Sequence, residues 1–222
     1  VYDHLTAANA DDAVRCIVIT GNGPGFCSGA DLKDDRGLPR GHTTAVEYPE
    51  LLAAIQDSPK PVIAAVNGPA FAGGLGMVAA ADIAVTVEDA QFSFSEVRIG
   101  VIPAIISVVC LPKLGAHHGM KLFLTGERFD GQQAVAMGLV HRAVPAAELT
   151  AAVQEEIDMI RLGGPNAVIE CKKLVREVGQ LSRDEGFAIT APWSARMFAS
   201  EEATEGMAAF REKRKAAWIR DD

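Results

Sequence analysis

The sequence predicts an α/β protein in which short apolar strands alternate with helical segments and a helical tail follows. Three β-rich runs (residues 14–20, 61–66 and 82–87) each end at turn-forming or polar residues. Their apolar residues run on without alternating with polar ones, as in strands of a sheet covered by helices. From about Gly131 onward the pattern changes to helix.

Taken in order, the first run, Val-Arg-Cys-Ile-Val-Ile-Thr, stops at the cluster Gly21-Asn22-Gly23-Pro24-Gly25, the punctuation of a buried strand. A helix is expected over residues 48–57, ended by Ser58-Pro59-Lys60-Pro61, because proline cannot continue it. The second run stops at Asn67-Gly68-Pro69, and a short buried helix is expected over residues 75–81. The third run stops at Glu88-Asp89. Helices are then expected over residues 134–138, 146–161, 166–178, 183–200 and 201–218. No internal repeat or low-complexity segment interrupts them.

The 222 residues are 49% hydrophobic and 23% charged, the composition of a soluble globular protein. No apolar run approaches the roughly 20 residues that span a bilayer, so no membrane partner is expected. The start, Val-Tyr-Asp-His, carries no secretory pattern, and a cytoplasmic location is the default expectation. Cys16, Cys27, Cys110 and Cys171 lie far apart without a C-x-x-C pair, which argues against a zinc site or a disulfide framework. A net charge of −8 weighs against nucleic-acid partners, yet local cations and backbone amides could still hold an anion.

Three segments could carry chemistry. In Gly25-Phe26-Cys27-Ser28-Gly29-Ala30-Asp31-Leu32 the small residues let a ligand approach main-chain amides, although alone this reads as a loop leaving a strand. In the run from Asn67 to Met77 a small-residue turn meets a helix N-terminus, where free N–H groups favour negative charge. Gly74-x-Gly76-x-x-Ala79, with Glu96 about 20 residues on, also matches a dinucleotide-binding pattern. That reading is set aside: Val66 ends its strand several residues too early, and the helix is too brief for a crossover. In the run from Gln91 to Pro103, Glu96 sits among apolar and small residues, where burial would raise its pKa; the competing reading is an ion pair with Arg98.

In this order and spacing, three motifs together resemble the crotonase (enoyl-CoA hydratase/isomerase) superfamily. They are the stretch from Gly23 to Leu32, the run from Asn67 to Gly74, and the segment from Phe92 to Pro103. Leu124-Thr125-Gly126-Glu127-Arg128-Phe129, then Ala134 with Gly138-Leu139-Val140, then the run from Glu205 to Arg214, extend the likeness over the chain. The resemblance implies a crotonase (ClpP-like) spiral of ββα units over residues 1–140 and a C-terminal helical trimerisation region over 141–222. It implies a homotrimer or homohexamer acting on an acyl-CoA thioester, with coenzyme A part of the substrate and no separate cofactor or metal.

Carried over by residue, it makes the amides of Ala30 and Gly73 the oxyanion-hole donors to the thioester carbonyl and Glu96 the group that moves protons. Phe26, Ser28, Gly29, Asp31 and Leu32 would line the substrate site from the first segment, and Gly74, Gly76 and Pro103 from the others. Lys213 matches a position that reaches the CoA phosphates, in its own or a neighbouring subunit; a solvated helix end explains it equally well. His117 and His118, lacking acidic or cysteine partners nearby, read as surface or interface residues.

The sequence departs from the family at three places. Many hydratases of the family carry a second glutamate three residues after the oxyanion-hole glycine, where this chain has Gly76. The expectation is open space there, admitting water or a branched acyl group, or a polar group from another segment. The segment 33–42 is short for the family, and an extra strand hairpin ordinarily precedes the region matching residues 1–10, so the sequence is expected to lack its natural start. Three functions follow: an enoyl-CoA hydratase using Glu96 for both water and proton; a Δ3,Δ2-enoyl-CoA isomerase, which needs one base; or a non-catalytic acyl-CoA binder. The run from Ser95 to Ser107 is similar to bacterial methylglutaconyl-CoA-type hydratases, which places the hydratase first. A serine hydrolase lacks a visible triad.

Overall fold

The computed structural model describes residues 1–30 and 46–219. Along them run α1 (Tyr2–Ala10), β1 (Ile17–Thr20), α2 (Tyr48–Asp57), β2 (Val62–Val66), β3 (Ala70–Phe71), α3 (Gly73–Ala80), β4 (Ile83–Val87) and β5 (Phe92–Ser93). A 3-10 turn (Ser95–Ile99) leads to α4 (Ala104–Thr125), α5 (Gly131–Ala136) and β6 (Arg142–Val144). The helices α6 (Leu149–Leu162), α7 (Pro165–Val178), α8 (Arg183–Phe198) and α9 (Glu201–Glu212) follow.

The main sheet is parallel, in the order β1-β2-β4-β6. All five residues of β2 are buried, as are four of the five in β4, which is why their sequences are continuously apolar. β1, at the edge, alternates between half-buried and exposed positions. The last strand, β6, lies beyond residue 140, so the sheet draws on both parts of the chain that the sequence separates.

A second parallel pair, β3 and β5, is extended on one side by a bridge from Cys27 to Ala70 and on the other by a bridge from Phe92 to Phe129. Beneath this layer the rings of Phe92 and Phe129 stack at 5.4 Å, and Phe94 packs on Phe123 at 4.7 Å. With Ile55, Ile63, Leu75, Val85, Leu122 and Leu139, all almost fully buried, these rings form one continuous core. No described helix is long and apolar enough to cross a membrane.

Within the tail, α6 buries Leu149, Ala152 and Val153 in this core, and α7 joins it through charge. Lys172 of α7 lies 2.7 Å from Asp82 Oδ2, at the start of β4, and the same oxygen accepts the Val62 amide at 2.8 Å. Burial pulls the Lys172 pKa down, while Asp82 opposes that shift. α9 is tied in by Glu202, whose carboxylate caps the N-terminus of α7 at the Asn166 and Ala167 amides.

The structure redraws several expected boundaries. The first strand begins at Ile17, three of its expected residues being outside it, and the helix expected at 75–81 begins at Gly73. The segment expected as one helix over 146–161 opens with a 3-10 turn at Ala146–Glu148 before α6. The helix expected over 201–218 stops at Glu212, because Lys213 takes a left-handed conformation (φ 54°). α1 and α4 have no counterpart in the sequence reading. In α4, Pro112 and the non-helical Gly115 (φ 66°, ψ 167°) break the chain's helical pattern, and the structure absorbs both as a kink.

Candidate active site

The first and second chemical segments lie side by side. Phe26 and Cys27 donate their amides to Pro69 O, and Phe71 donates to Cys27 O at 2.9 Å, so residues 26–27 run parallel to β3. Ala30 and Gly73 each lie three residues beyond the bridged pair Cys27 and Ala70, and the two stretches stay close as far as Gly29 and Gly73. Gly29 confirms the closeness: a Cβ built on it would stand 3.1 Å from Ala72 Cβ and 3.5 Å from Gly73 N. Its φ of +91° is a second reason for glycine there. Gly74 is needed for contact alone, since a Cβ would meet Cys27 O at 2.3 Å.

Asn67 holds the loop before this pair in place. Its side chain accepts from Gly21 N at 3.0 Å and donates to Gly23 O at 2.9 Å. Ala72, the N-cap of α3, has φ 48° and ψ −120°, a strained backbone for a residue with a Cβ. The strain turns the chain so that α3 starts at Gly73, beside Gly29. Among the described residues, neither Ala30 N nor Gly73 N donates to a backbone carbonyl outside a helix, and a first-turn amide has no partner within its own helix.

Glu96 lies in the 3-10 turn that packs against α4. Its Oε2 is buried and has no hydrogen-bond partner among the described residues. Burial raises its pKa above the ordinary 4.5, and its own backbone amide offsets part of the rise. The alternative of an ion pair with Arg98 is not found among the described residues. A carboxylate in this state accepts and returns a proton nearer neutral pH than an exposed one does.

Gly76 overturns the expectation of open space. A Cβ built there would meet Ile106 Cγ2 and the Tyr48 hydroxyl, each at 2.6 Å. The volume beside α3 is therefore filled, and one of the groups filling it is polar, as the alternative expectation held. Tyr48 opens α2, whose N-terminus is secured by the Glu50 side chain accepting from Glu47 N at 3.0 Å. The Tyr48 hydroxyl donates to Gly73 O. Sequence reasoning missed Tyr48 and Ile106 as site residues, because nothing in a helix start or an apolar run tells which distant glycine it will face.

Of the other expected residues, Phe26 and Pro103 are buried, Ser28 is exposed, and Pro103 caps α4. Asp31, Leu32 and the segment 33–42 lie outside the described residues. Lys213 is exposed at the end of α9, and none of its described contacts reaches Gly29, Gly73 or Glu96. His117 is exposed and His118 half-buried, their rings 5.1 Å apart.

The model of the enoyl-CoA hydratase/isomerase family matches residues 1–221. The chain belongs to this family. It is 34% identical over 218 residues to the carnitinyl-CoA dehydratase of Proteus mirabilis, covering 94% of this chain and 82% of that protein. It is 34% identical over 210 residues to an enoyl-CoA hydratase of Mycobacterium tuberculosis, covering 92% of this chain and 79% of that one. The crystal structure of an enoyl-CoA hydratase from Mycobacterium smegmatis superposes with a TM-score of 0.90 at 29% identity, over 99% of this chain and 86% of that one. The α/β core with its helical tail is thus the crotonase fold, and the chain is an enzyme of the hydratase/isomerase class.

Proposed function

We propose that this member of the family is an enoyl-CoA hydratase, adding water across the double bond of a 2-enoyl-CoA. In this reading the amides of Ala30 and Gly73 donate to the thioester oxygen. Water adds through oxygen to C3, its proton passes to Glu96, and Glu96 delivers a proton to C2, giving the 3-hydroxyacyl-CoA. The negative charge that develops on the thioester oxygen is met by the two amides, and a preorganised donor of this kind contributes about 3–4 kcal/mol to the barrier. Coenzyme A enters as part of the substrate, and Lys213 is a candidate for its phosphates. The exposed apolar side chains of the helical region suit assembly into a homotrimer or homohexamer.

The observation that carries the reading is the buried, unpartnered Glu96 oxygen, whose charge is felt at Tyr48, the side chain that stands against Gly73 and Gly76. A structural carboxylate would have found a donor. Because residue 76 supplies no second carboxylate, a Δ3,Δ2-isomerase with Glu96 as sole base is the competing activity. Supplying crotonyl-CoA, a branched glutaconyl-type ester and a 3-enoyl-CoA separately distinguishes the two. Hydroxyacyl product from the 2-enoyl esters supports the hydratase; turnover of the 3-enoyl ester alone selects the isomerase. Glu96→Gln is expected to lower turnover at least about 100-fold with thioester binding kept, and full activity would remove Glu96 from the mechanism.

A further inference from the structure

We propose that the Tyr48 hydroxyl is a catalytic group of this enzyme, holding the attacking water together with Glu96 in place of a side chain at residue 76. The inference rests on the hydratase reading above and assigns its water site.

Tyr48 Oη stands 2.6 Å from where a residue-76 Cβ would begin, so it occupies the position from which a side chain there would leave α3. It also lies 3.5 Å from a Cβ built on Gly73, at the turn of chain that carries one of the two proposed oxyanion donors. Its single proton is committed to Gly73 O. What the oxygen presents elsewhere is therefore acceptor capacity alone.

Glu96 Oε2, likewise, is an acceptor without a donor. The two groups belong to one neighbourhood. α2 and α4 both pack on α3, the Glu96 turn packs on α4, and the charge of Glu96 is felt at both Tyr48 and Cys110. A water molecule has two protons to give. Donating one to Glu96 and one to Tyr48 leaves an oxygen lone pair free to attack C3.

Burial first, then the neighbouring Cys27, Cys110 and Glu96, raises the Tyr48 pKa. The phenol consequently stays neutral through the cycle and orients the water without taking its proton. The balance is unchanged: the O–H bond of water breaks toward Glu96, the C3–O bond forms, and Glu96 returns a proton to C2.

The test compares two reactions of Tyr48→Phe: hydration of a 2-enoyl-CoA, and exchange of the C2 protons of a saturated acyl-CoA in deuterium oxide. Exchange needs the enolate site and Glu96 but no attack by water. Hydration kcat is expected to fall by about 100-fold, with KM changing less than about threefold and exchange kept within about threefold. Hydration at the parent rate would overturn the proposal. So would an equal fall in both reactions, which would make Tyr48 a positioning residue acting through Gly73.

If the phenylalanine variant fails to fold, 3,5-difluorotyrosine at position 48 retains the shape and weakens the acceptor. Slower hydration with normal exchange supports the proposal, and parent rates of both overturn it. Glu96→Gln tests the shared premise: retention of both reactions there would remove Glu96 from the mechanism and, with it, the water site. A parent enzyme that hydrates no 2-enoyl ester would sink the hydratase reading itself, whereas a hydrating parent matched in rate by Tyr48→Phe would sink only the role of Tyr48.

Discussion

Glu96 places one carboxylate oxygen where it meets no donor among the described residues. Its folded pKa is raised above the ordinary 4.5, so the folded state binds a proton more tightly than the unfolded chain does. The sign follows. Below 4.5 both states hold the proton and the side chain is nearly neutral for stability; as pH rises through the folded pKa, the buried charge destabilises the fold. Glu96→Gln should therefore melt at a higher temperature than the parent at neutral pH, and the gain should vanish as pH falls below 4.5. An equal gain at both pH values would mean that charge is not its cause. Gly76 is governed by space instead. Gly76→Ala must displace Ile106 or Tyr48 and is expected to cost about 1–3 kcal/mol in denaturant unfolding, along with activity. At this scale the burial of Glu96 was legible because its apolar surroundings are local, whereas the placement of Tyr48 was not, because it depends on a contact 25 residues away with Gly73 O.

Among the elements, β2 and β4 were the most legible, since burial on both faces writes itself into sequence as unbroken apolar runs. α4 was the least legible. Its Pro112 and Gly115 read locally as breaks, and only packing against α3 sustains a helix on either side of the kink. The docking of α7 was also invisible, because it joins Asp82 to Lys172 across 90 residues of chain. This junction yields an asymmetry. Asp82→Ala strips the partner from a buried ammonium and the acceptor from Val62 N, at an expected cost of about 3 kcal/mol or more. Lys172→Met should cost less, because Asp82 keeps Val62 N, and Arg176 remains 3.8 Å away. Equal losses in urea unfolding would show that the pair does not organise the junction in this way.

For the whole molecule, apolar patterning was enough for the α/β class and the resemblance carried by three ordered motifs for the crotonase fold, but the surface left by the tail helices was beyond both. Phe187, Phe198 and Phe210 are 69%, 69% and 86% exposed, a concentration of large apolar groups unusual for a surface that meets only water. Analytical ultracentrifugation is expected to find three or six copies per particle. Phe198→Ser combined with Phe210→Ser should shift the mass toward one copy, and a monomeric parent would refute the assembly.

The bridge between Cys27 and Ala70 has an evolutionary consequence. An enzyme that gripped its reactant with peptide groups, as proposed for Ala30 and Gly73, would leave many side chains nearby free to drift. What it cannot tolerate is a change of chain length. One inserted or deleted residue between Cys27 and Ala30 would move the amide paired with Gly73 by a whole peptide unit and turn it the other way. In lineages that keep the chemistry, this short stretch should vary in letters while holding its count.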